Sequence, residues 1–480
     1  MQRVDLSRRR FLKAAGLSTA VLAIGPGAFA AEPKSSRTNV LLITADDMNW
    51  DSLGCTGSKT PAISPNIDKL ASQGMRFEHA HVTSAICQPS RSAIGTGRYP
   101  HRSGALGFDP INTDVPTIVE SFRAGGCHTG ILAKVGHMAP KSKFPWDSIT
   151  EAGELGNGRD PSLYHKACKT FFDQAKSAGK PFLLMANSQD PHRPFPGSQQ
   201  GEGKLHTLEA SRVYKPEEVR VPGFLPQGIP DIGKEVAQYY TAVHRCDEAV
   251  GQVLRALKES GREDDTIVIF LSDNGISVPF AKTNCYENST KTPLIIRWPG
   301  RIKPGSVDKE HFVSGIDLMP TLIDALGLEP VKGMDGRSFL PVLQGKKQDG
   351  RDKVFTFITS TSGKKFFPMR SVRNASYSYI FNAWSDGKTE FRNEPMSGLT
   401  WKAMVAAGEK DPKIAERCSF YLHRVPEEFY DLESDPNELK NLISYPMRQA
   451  DINKLRSAML DMMKSTNDPL LETFKKRMGA

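Results

Sequence analysis

At 480 residues the chain is too long for one small core and suits a large α/β domain with a smaller partner. Hydrophobic content of 39% and charged content of 24% are those of a soluble globular chain, with no apolar run beyond the N-terminus that would span a bilayer. The formal charge of +9 includes a net +4 from Arg3, Arg8, Arg9, Arg10, Lys13 and Asp5; the mild remainder suits an anionic substrate, and without a basic helix or nucleic-acid motif no nucleic-acid partner is expected.

In chain order, Ser7-Arg8-Arg9-Arg10-Phe11-Leu12-Lys13, a short apolar stretch from Ala14 to Ile24 and Ala28-Phe29-Ala30 read as a twin-arginine signal over residues 1–30. The expectation is export in the folded state by the Tat machinery, a transient partner, to the periplasm or outside, with no stable membrane anchor. Asn39 to Ala45 is a continuous apolar run ending in Asp46-Asp47, the pattern of a strand buried on both faces of a parallel sheet. Ser64-Pro65 opens a helix in which Ile67, Leu70 and Ala71 share a face and Gly74 can close it.

Three more apolar runs end in polar groups: Thr129 to Ala133 before Lys134, Phe182 to Ala186 before Asp190-Pro191-His192, and Thr266 to Leu271 before Asp273-Asn274. Between the last two, Val236, Tyr240, Val243, Val250, Leu254 and Leu257 recur at helical spacing, as in a crossover helix lying on a sheet. Ligands bind beyond the carboxyl ends of strands in open α/β sheets, so these polar groups are expected to meet in one site. After about residue 350 shorter runs follow, at Tyr377 to Phe381 and Glu428 to Leu432, with a helical stretch from Ile452 to Met463. The expected division is a catalytic domain over 36–350 and a smaller α+β domain over 351–480. Seven cysteines, at 55, 87, 127, 168, 246, 285 and 418, lack metal-type spacing, and their odd number leaves at least one unpaired.

Cys87-Gln88-Pro89-Ser90-Arg91, followed by Thr96-Gly97-Arg98, resembles the C-x-P-x-R signature of the type I sulfatases, which marks a cysteine converted to 3-oxoalanine (formylglycine) by a formylglycine-generating enzyme. The resemblance runs from about Asn39 to Leu442 and implies an alkaline-phosphatase-like fold, with a large, mixed, mostly parallel sheet between helices and a smaller C-terminal α+β part. It also implies a nucleophile made from Cys87: a hydrated aldehyde has two hydroxyls, one to attack sulfur and one to expel sulfate as the aldehyde re-forms.

A nucleophile of this kind calls for a cation near neutral pH. Asp46, Asp47, Asp273 and Asn274 offer hard oxygen ligands of the type Ca2+ prefers, with modified Cys87 completing the set; histidine and thiolate ligands of zinc type are missing from it. By the same resemblance Arg91 holds the modified side chain, Lys134 and Lys282 contact sulfate, His137 steers the geminal hydroxyl and His192 protonates the leaving group. The family usually places one residue between the lysine and histidine that here stand at 134 and 137, with two between them.

Within the family, Asp190-Pro191-His192-Arg193, Tyr239-Tyr240-Thr241, Asp273-Asn274-Gly275-Ile276, Thr283-Asn284 and Pro368-Met369-Arg370-Ser371-Val372 are similar to the heparan N-sulfatases (sulfamidases). That implies a sulfated glycan substrate, N-sulfoglucosamine at a chain end, with Arg193 and Arg370 as sugar contacts. Lys282 stands where sulfamidases carry arginine, and other sulfatases carry lysine. The rival activities are O-sulfate or aryl sulfate hydrolysis, hydrolysis of phosphodiesters or phosphonates, and a non-catalytic glycan-binding role in which Cys87 stays a thiol.

Overall fold

The computed structural model describes residues 38–198 and 210–479; the expected export signal lies outside the described residues. The strands are β1 (Asn39–Ala45), β2 (Met75–Phe77), β3 (Ala80–His81), β4 (His128–Leu132), β5 (Ser148–Thr150), β6 (Phe182–Asn187), β7 (Thr266–Ser272), β8 (Leu294–Arg297), β9 (Ser306–Asp308), β10 (Val313–Ser314), β11 (Lys353–Thr361), β12 (Lys365–Asn374), β13 (Tyr377–Asn382) and β14 (Glu427–Asp431). Eight of them form one sheet in the order β5-β4-β6-β1-β7-β8-β2-β9. β1 pairs in parallel with β6 and β7, and β4 with β5 and β6, while β8 runs antiparallel between β7 and β2.

The apolar runs are continuous because each face of this sheet is covered. Leu41 and Ile43 of β1, Leu184 of β6 and Val268 and Phe270 of β7 point into one core; Val40, Leu42, Leu183, Met185, Ile267 and Ile269 point into the other. Each such side chain contributes about 1.5–3 kcal/mol by leaving water, so the central strands resist local opening. The helix Pro230–Glu259 covers the first core with Val236, Tyr240, Val243, Val250 and Leu257 buried and Leu254 partly so, on the face that the helical spacing marks.

The helix Pro65–Ser72 forms where expected, but its ends work differently. Ser64 makes no side-chain cap; its hydroxyl donates to Asp68 Oδ1 (3.0 Å) and accepts from the Gly54 amide (2.9 Å). Gly74 is not a left-handed cap. A Cβ there would lie 2.4 Å from the carbonyl oxygen of Ile296 in β8, so its requirement is close backbone approach.

The C-terminal sheet is antiparallel, in the order β11-β12-β13-β14. Its side chains alternate. Ile358, Met369, Ile380 and Tyr430 enter the core shared with Pro230–Glu259, while Phe357, Val372, Tyr379, Phe381 and Phe429 pack with Ile452, Leu455 and Met459 of the helix Gln449–Thr466. All seven cysteines are unbridged, and no helix among the described residues is long and apolar enough to cross a membrane.

Candidate active site

The parallel strands deliver their polar groups to one end of the sheet. Asp46 and Asp47 follow β1, Lys134 follows β4, Asp190 and His192 follow β6, and Asp273 and Asn274 follow β7. Asp47 adopts a left-handed backbone, φ 69°, and its amide donates to Asp273 Oδ1 at 3.2 Å. Asn274 Nδ2 donates to Asp47 Oδ1 at 2.6 Å. The two acidic pairs are therefore in direct contact although 226 residues separate Asp47 from Asp273. All four side chains are buried.

Cys87 is the first residue of the helix Cys87–Thr96, which is buried along its whole length, and so stands at the positive end of the helix dipole. Its Sγ donates to Asp46 Oδ1 at 3.2 Å. Burial pushes the thiol well above its ordinary pKa, against the pull of Lys282. One turn on, Arg91 pairs with Asp273 Oδ2 at 2.7 Å and donates from Nη1 to Thr44 Oγ1 (2.6 Å) and Asn187 Oδ1 (2.8 Å). Arg91 thus ties the helix to β1, β6 and the acidic pair after β7.

Cys87, Lys134, His137, His192 and Lys282 line a cavity of about 450 Å³. Lys134 Nζ pairs with Asp46 Oδ2, and Lys282 Nζ lies 2.7 Å from Asp47 Oδ1. His137 reaches the cavity despite the extra residue after Lys134, because Val135–His137 closes into a 3-10 turn. His192 donates from Nδ1 to its neighbour's carbonyl, that of Arg193, at 2.6 Å, which fixes the tautomer and leaves Nε2 toward the cavity, 3.8 Å from Asp47 Oδ2.

Burial dominates the electrostatics. It pushes Asp47 up to about 6, with Lys282 opposing, and lowers Lys134 to about 7 and His137 to about 3. Burial, then Lys282 and Lys134, hold His192 well below the usual imidazole value. In Asp273 burial loses: Arg91, Lys134 and Lys282 together keep the carboxyl below its ordinary value. Lys282 likewise is raised despite burial, by Asp47, Cys87 and Glu394.

Two expected sugar contacts sit differently. Arg370 points into the C-terminal sheet, only 1% exposed, where it forks onto Asp468 (2.6 and 3.2 Å) and donates to the Ile358 carbonyl (3.0 Å); it does not line the cavity, which corrects its assignment as a sugar contact. Arg193 does line it, but its donors are taken by Glu235 (3.0 and 3.3 Å), Ser277 (2.7 Å) and Glu394 (3.1 Å).

Sequence reasoning missed three parts of the site. Asp190 is gripped by Arg245 (2.7 and 3.0 Å) and Arg159 (3.2 Å), and Arg159 also donates to the His192 carbonyl at 3.0 Å, so this cluster positions the His192 loop. Thr44 and Asn187 seat Arg91. Glu394, in the 3-10 turn Glu394–Ser397, adds a carboxylate to the cavity wall, and Lys282 and Arg193 overcome burial to hold it at about 2.

A buried cysteine at a helix start, facing two acidic pairs under four basic side chains at the ends of parallel strands, defines a hydrolase site for a small anionic group. Residues 38–328 match the family model "Sulfatase", and the chain belongs to the sulfatase family, whose members hydrolyse sulfate esters or sulfamates. Residues 277–390 match a second model, "N-sulphoglucosamine sulphohydrolase, C-terminal", which places the chain close to the sulfamidases within that family. The human N-sulphoglucosamine sulphohydrolase is 28% identical over 90% of this chain and 91% of its own. An ulvan-active sulfatase of Formosa agariphila is 29% identical over 91% of this chain and 82% of its own. The fold is alkaline-phosphatase-like: the crystal structure of the phosphonate monoester hydrolase of Agrobacterium radiobacter superimposes with a TM-score of 0.69 over 90% of this chain and 96% of that one, at 19% identity.

Proposed function

We propose that this chain removes sulfate from sulfated glycans, with N-sulfoglucosamine at a chain end as the substrate, using Cys87 oxidised to formylglycine and a bound calcium ion. The observation that carries this reading is that Cys87, on the cavity wall, donates to Asp46, while Asp47 beside it is bonded to Asp273 and Asn274. The unmodified Sγ stands where the oxygens of the formylglycine hydrate would lie. When formed, that hydrate supplies one hydroxyl to attack sulfur and another whose proton loss re-forms the aldehyde and frees sulfate, so no water need attack a sulfated enzyme.

The donors fit a hard divalent cation. Asn274 Oδ1 is buried without a hydrogen-bond partner, and Asp46 Oδ2 and Asp273 Oδ2 accept no hydrogen bond, meeting only the cations of Lys134 and Arg91. Asp46, Asp47, Cys87 and His192 each place a ligand-type atom within 4.8 Å of the others. Asp46, Asp47, Asp273 and Asn274 would hold calcium, whose charge would stabilise an ionised hydroxyl beside Cys87.

The remaining work falls to side chains already in place. Lys134 and Lys282 bind and orient the sulfate; Arg91 fixes Asp273. His192 keeps Nδ1 on the Arg193 carbonyl and presents Nε2 to the departing amine or hydroxyl, where its proton is needed. A sulfate bound alongside brings the negative charge that raises this imidazole toward protonation.

Two measurements on protein made with a formylglycine-generating enzyme test the reading. Mass spectrometry of the Cys87 peptide should find the aldehyde, and N-sulfoglucosamine should lose sulfate faster than O-sulfated sugars or phosphodiesters. An unmodified thiol with full activity would remove the nucleophile assigned here, and faster phosphodiester turnover would replace the sulfated substrate. Sulfate loss confined to O-sulfates would leave the enzyme an O-sulfatase, consistent with lysine at 282.

A further inference from the structure

We propose that Glu394 decides which sulfated sugars the cavity accepts, by taking a hydrogen bond from the hydroxyl next to the scissile sulfate and repelling a second sulfate there. This rests on the sulfatase reading and deepens it.

A carboxylate is out of place in a cavity built for sulfate. Walls formed only by Lys134, His137, Arg159, His192 and Lys282 would draw in an anion in many positions and would tolerate more than one sulfate. Glu394 interrupts that wall. Its side chain is 26% exposed, its Oε2 meets the Ser277 hydroxyl and lies 3.5 Å from Lys282 Nζ, and its Oε1 accepts from Arg193 Nη1 at 3.1 Å. An ionised carboxylate has about four acceptor positions, so Oε1 keeps a lone pair for a substrate hydroxyl.

The carboxylate is held firmly enough to discriminate. Arg193 spends its other donors on Glu235 and Ser277, and Glu235, on the long helix Pro230–Glu259, accepts from the amides of Leu399 (3.0 Å) and Thr400 (2.6 Å) just beyond the Glu394 turn. Arg193 is therefore a positioning residue for Glu394. A rigid acceptor of this kind penalises a sugar that lacks the hydroxyl, because the acceptor loses its partner, and penalises a sulfate placed against it by like-charge repulsion.

The test compares kcat/KM of the formylglycine-bearing enzyme on four probes: the methyl glycoside of N-sulfoglucosamine, its 3-deoxy analogue, its 3-O-sulfate and 4-nitrophenyl sulfate. The wild-type enzyme should process the 3-deoxy and 3-O-sulfated sugars at least tenfold less efficiently than the parent sugar. In Glu394→Gln the penalty on the 3-O-sulfate should shrink at least tenfold, mainly through KM. Equal efficiency on all three sugars in the wild type overturns the proposal without needing the variant. A Glu394→Gln loss spread evenly over the sugars and 4-nitrophenyl sulfate, with the penalties intact, also overturns it and leaves Glu394 as a neutraliser of Lys282. Turnover of 4-nitrophenyl sulfate but of no sugar overturns it while the sulfatase reading stands; turnover of none of the four brings down the sulfatase reading as well.

Discussion

His192 and Arg370 show how differently two basic residues in similar-looking stretches can act. His192 has its tautomer fixed by the Arg193 carbonyl and Nε2 aimed into the cavity. His192→Ala should lower kcat on a sulfated sugar by roughly 10²–10⁴-fold. The loss should be much smaller on 4-nitrophenyl sulfate, whose phenolate leaves without a proton; equal losses on both would mean His192 is no acid. Arg370→Ala should leave KM for the sugar unchanged and cost about 3–5 kcal/mol in denaturant unfolding, because Asp468 would stay buried without its partner. A raised KM with unchanged stability would return Arg370 to the substrate.

At the level of elements, the strand ends were legible from sequence because a two-faced strand writes its burial as an unbroken apolar run, and the first polar residues after it mark the sheet edge. That is why Asp46, Asp47, Lys134, His192, Asp273 and Asn274 could be gathered in advance. Glu394 could not, since a polar turn in a polar stretch carries no periodicity and its partner Arg193 is 201 residues away. Arg370 misled because its inward face is set by β-register with β11 and β13, which local pattern does not report. Gly275 carries a constraint that its place in the Asp273-Asn274-Gly275-Ile276 stretch does not report: a Cβ there would lie 1.8 Å from the Asn288 carbonyl oxygen. With calcium held as proposed above, Gly275→Ala should push Asp273 and Asn274 out of line, raising the calcium concentration needed for half-maximal activity at least tenfold, as titration after chelation would show; an unchanged calcium requirement would mean the turn absorbs the methyl group.

Across the whole molecule, pH sensitivity should come largely from histidines buried neutral. His101 is one such histidine outside the active site: burial lowers it to about 4, with Asp468 opposing and Arg370 and Arg102 reinforcing the shift, and its Nε2 lies 3.3 Å from the Thr466 carbonyl. Unfolded, it titrates near 6.5. Between about pH 6.5 and pH 4 the unfolded chain therefore binds a proton that the folded chain refuses, and folding stability falls as pH falls, by up to about 3 kcal/mol from this group. His101→Gln should flatten the decline in Tm over that window relative to wild type; an identical slope would show that His101 ionises in the folded state.

The two sheets also divide the labour. Cys87, its acidic neighbours, Lys134 and Lys282 hang from the eight-stranded sheet and its loops, while Ser362 and Glu394, which line the same cavity, come from the connections of the four-stranded one. Mutational drift in those connections can redraw substrate preference without touching the bond-breaking apparatus, and because both sheets feed one apolar interior, a new rim is inherited with its support. Directed evolution aimed at new glycans should accordingly be concentrated between β11 and β14, where diversity is cheapest for chemistry.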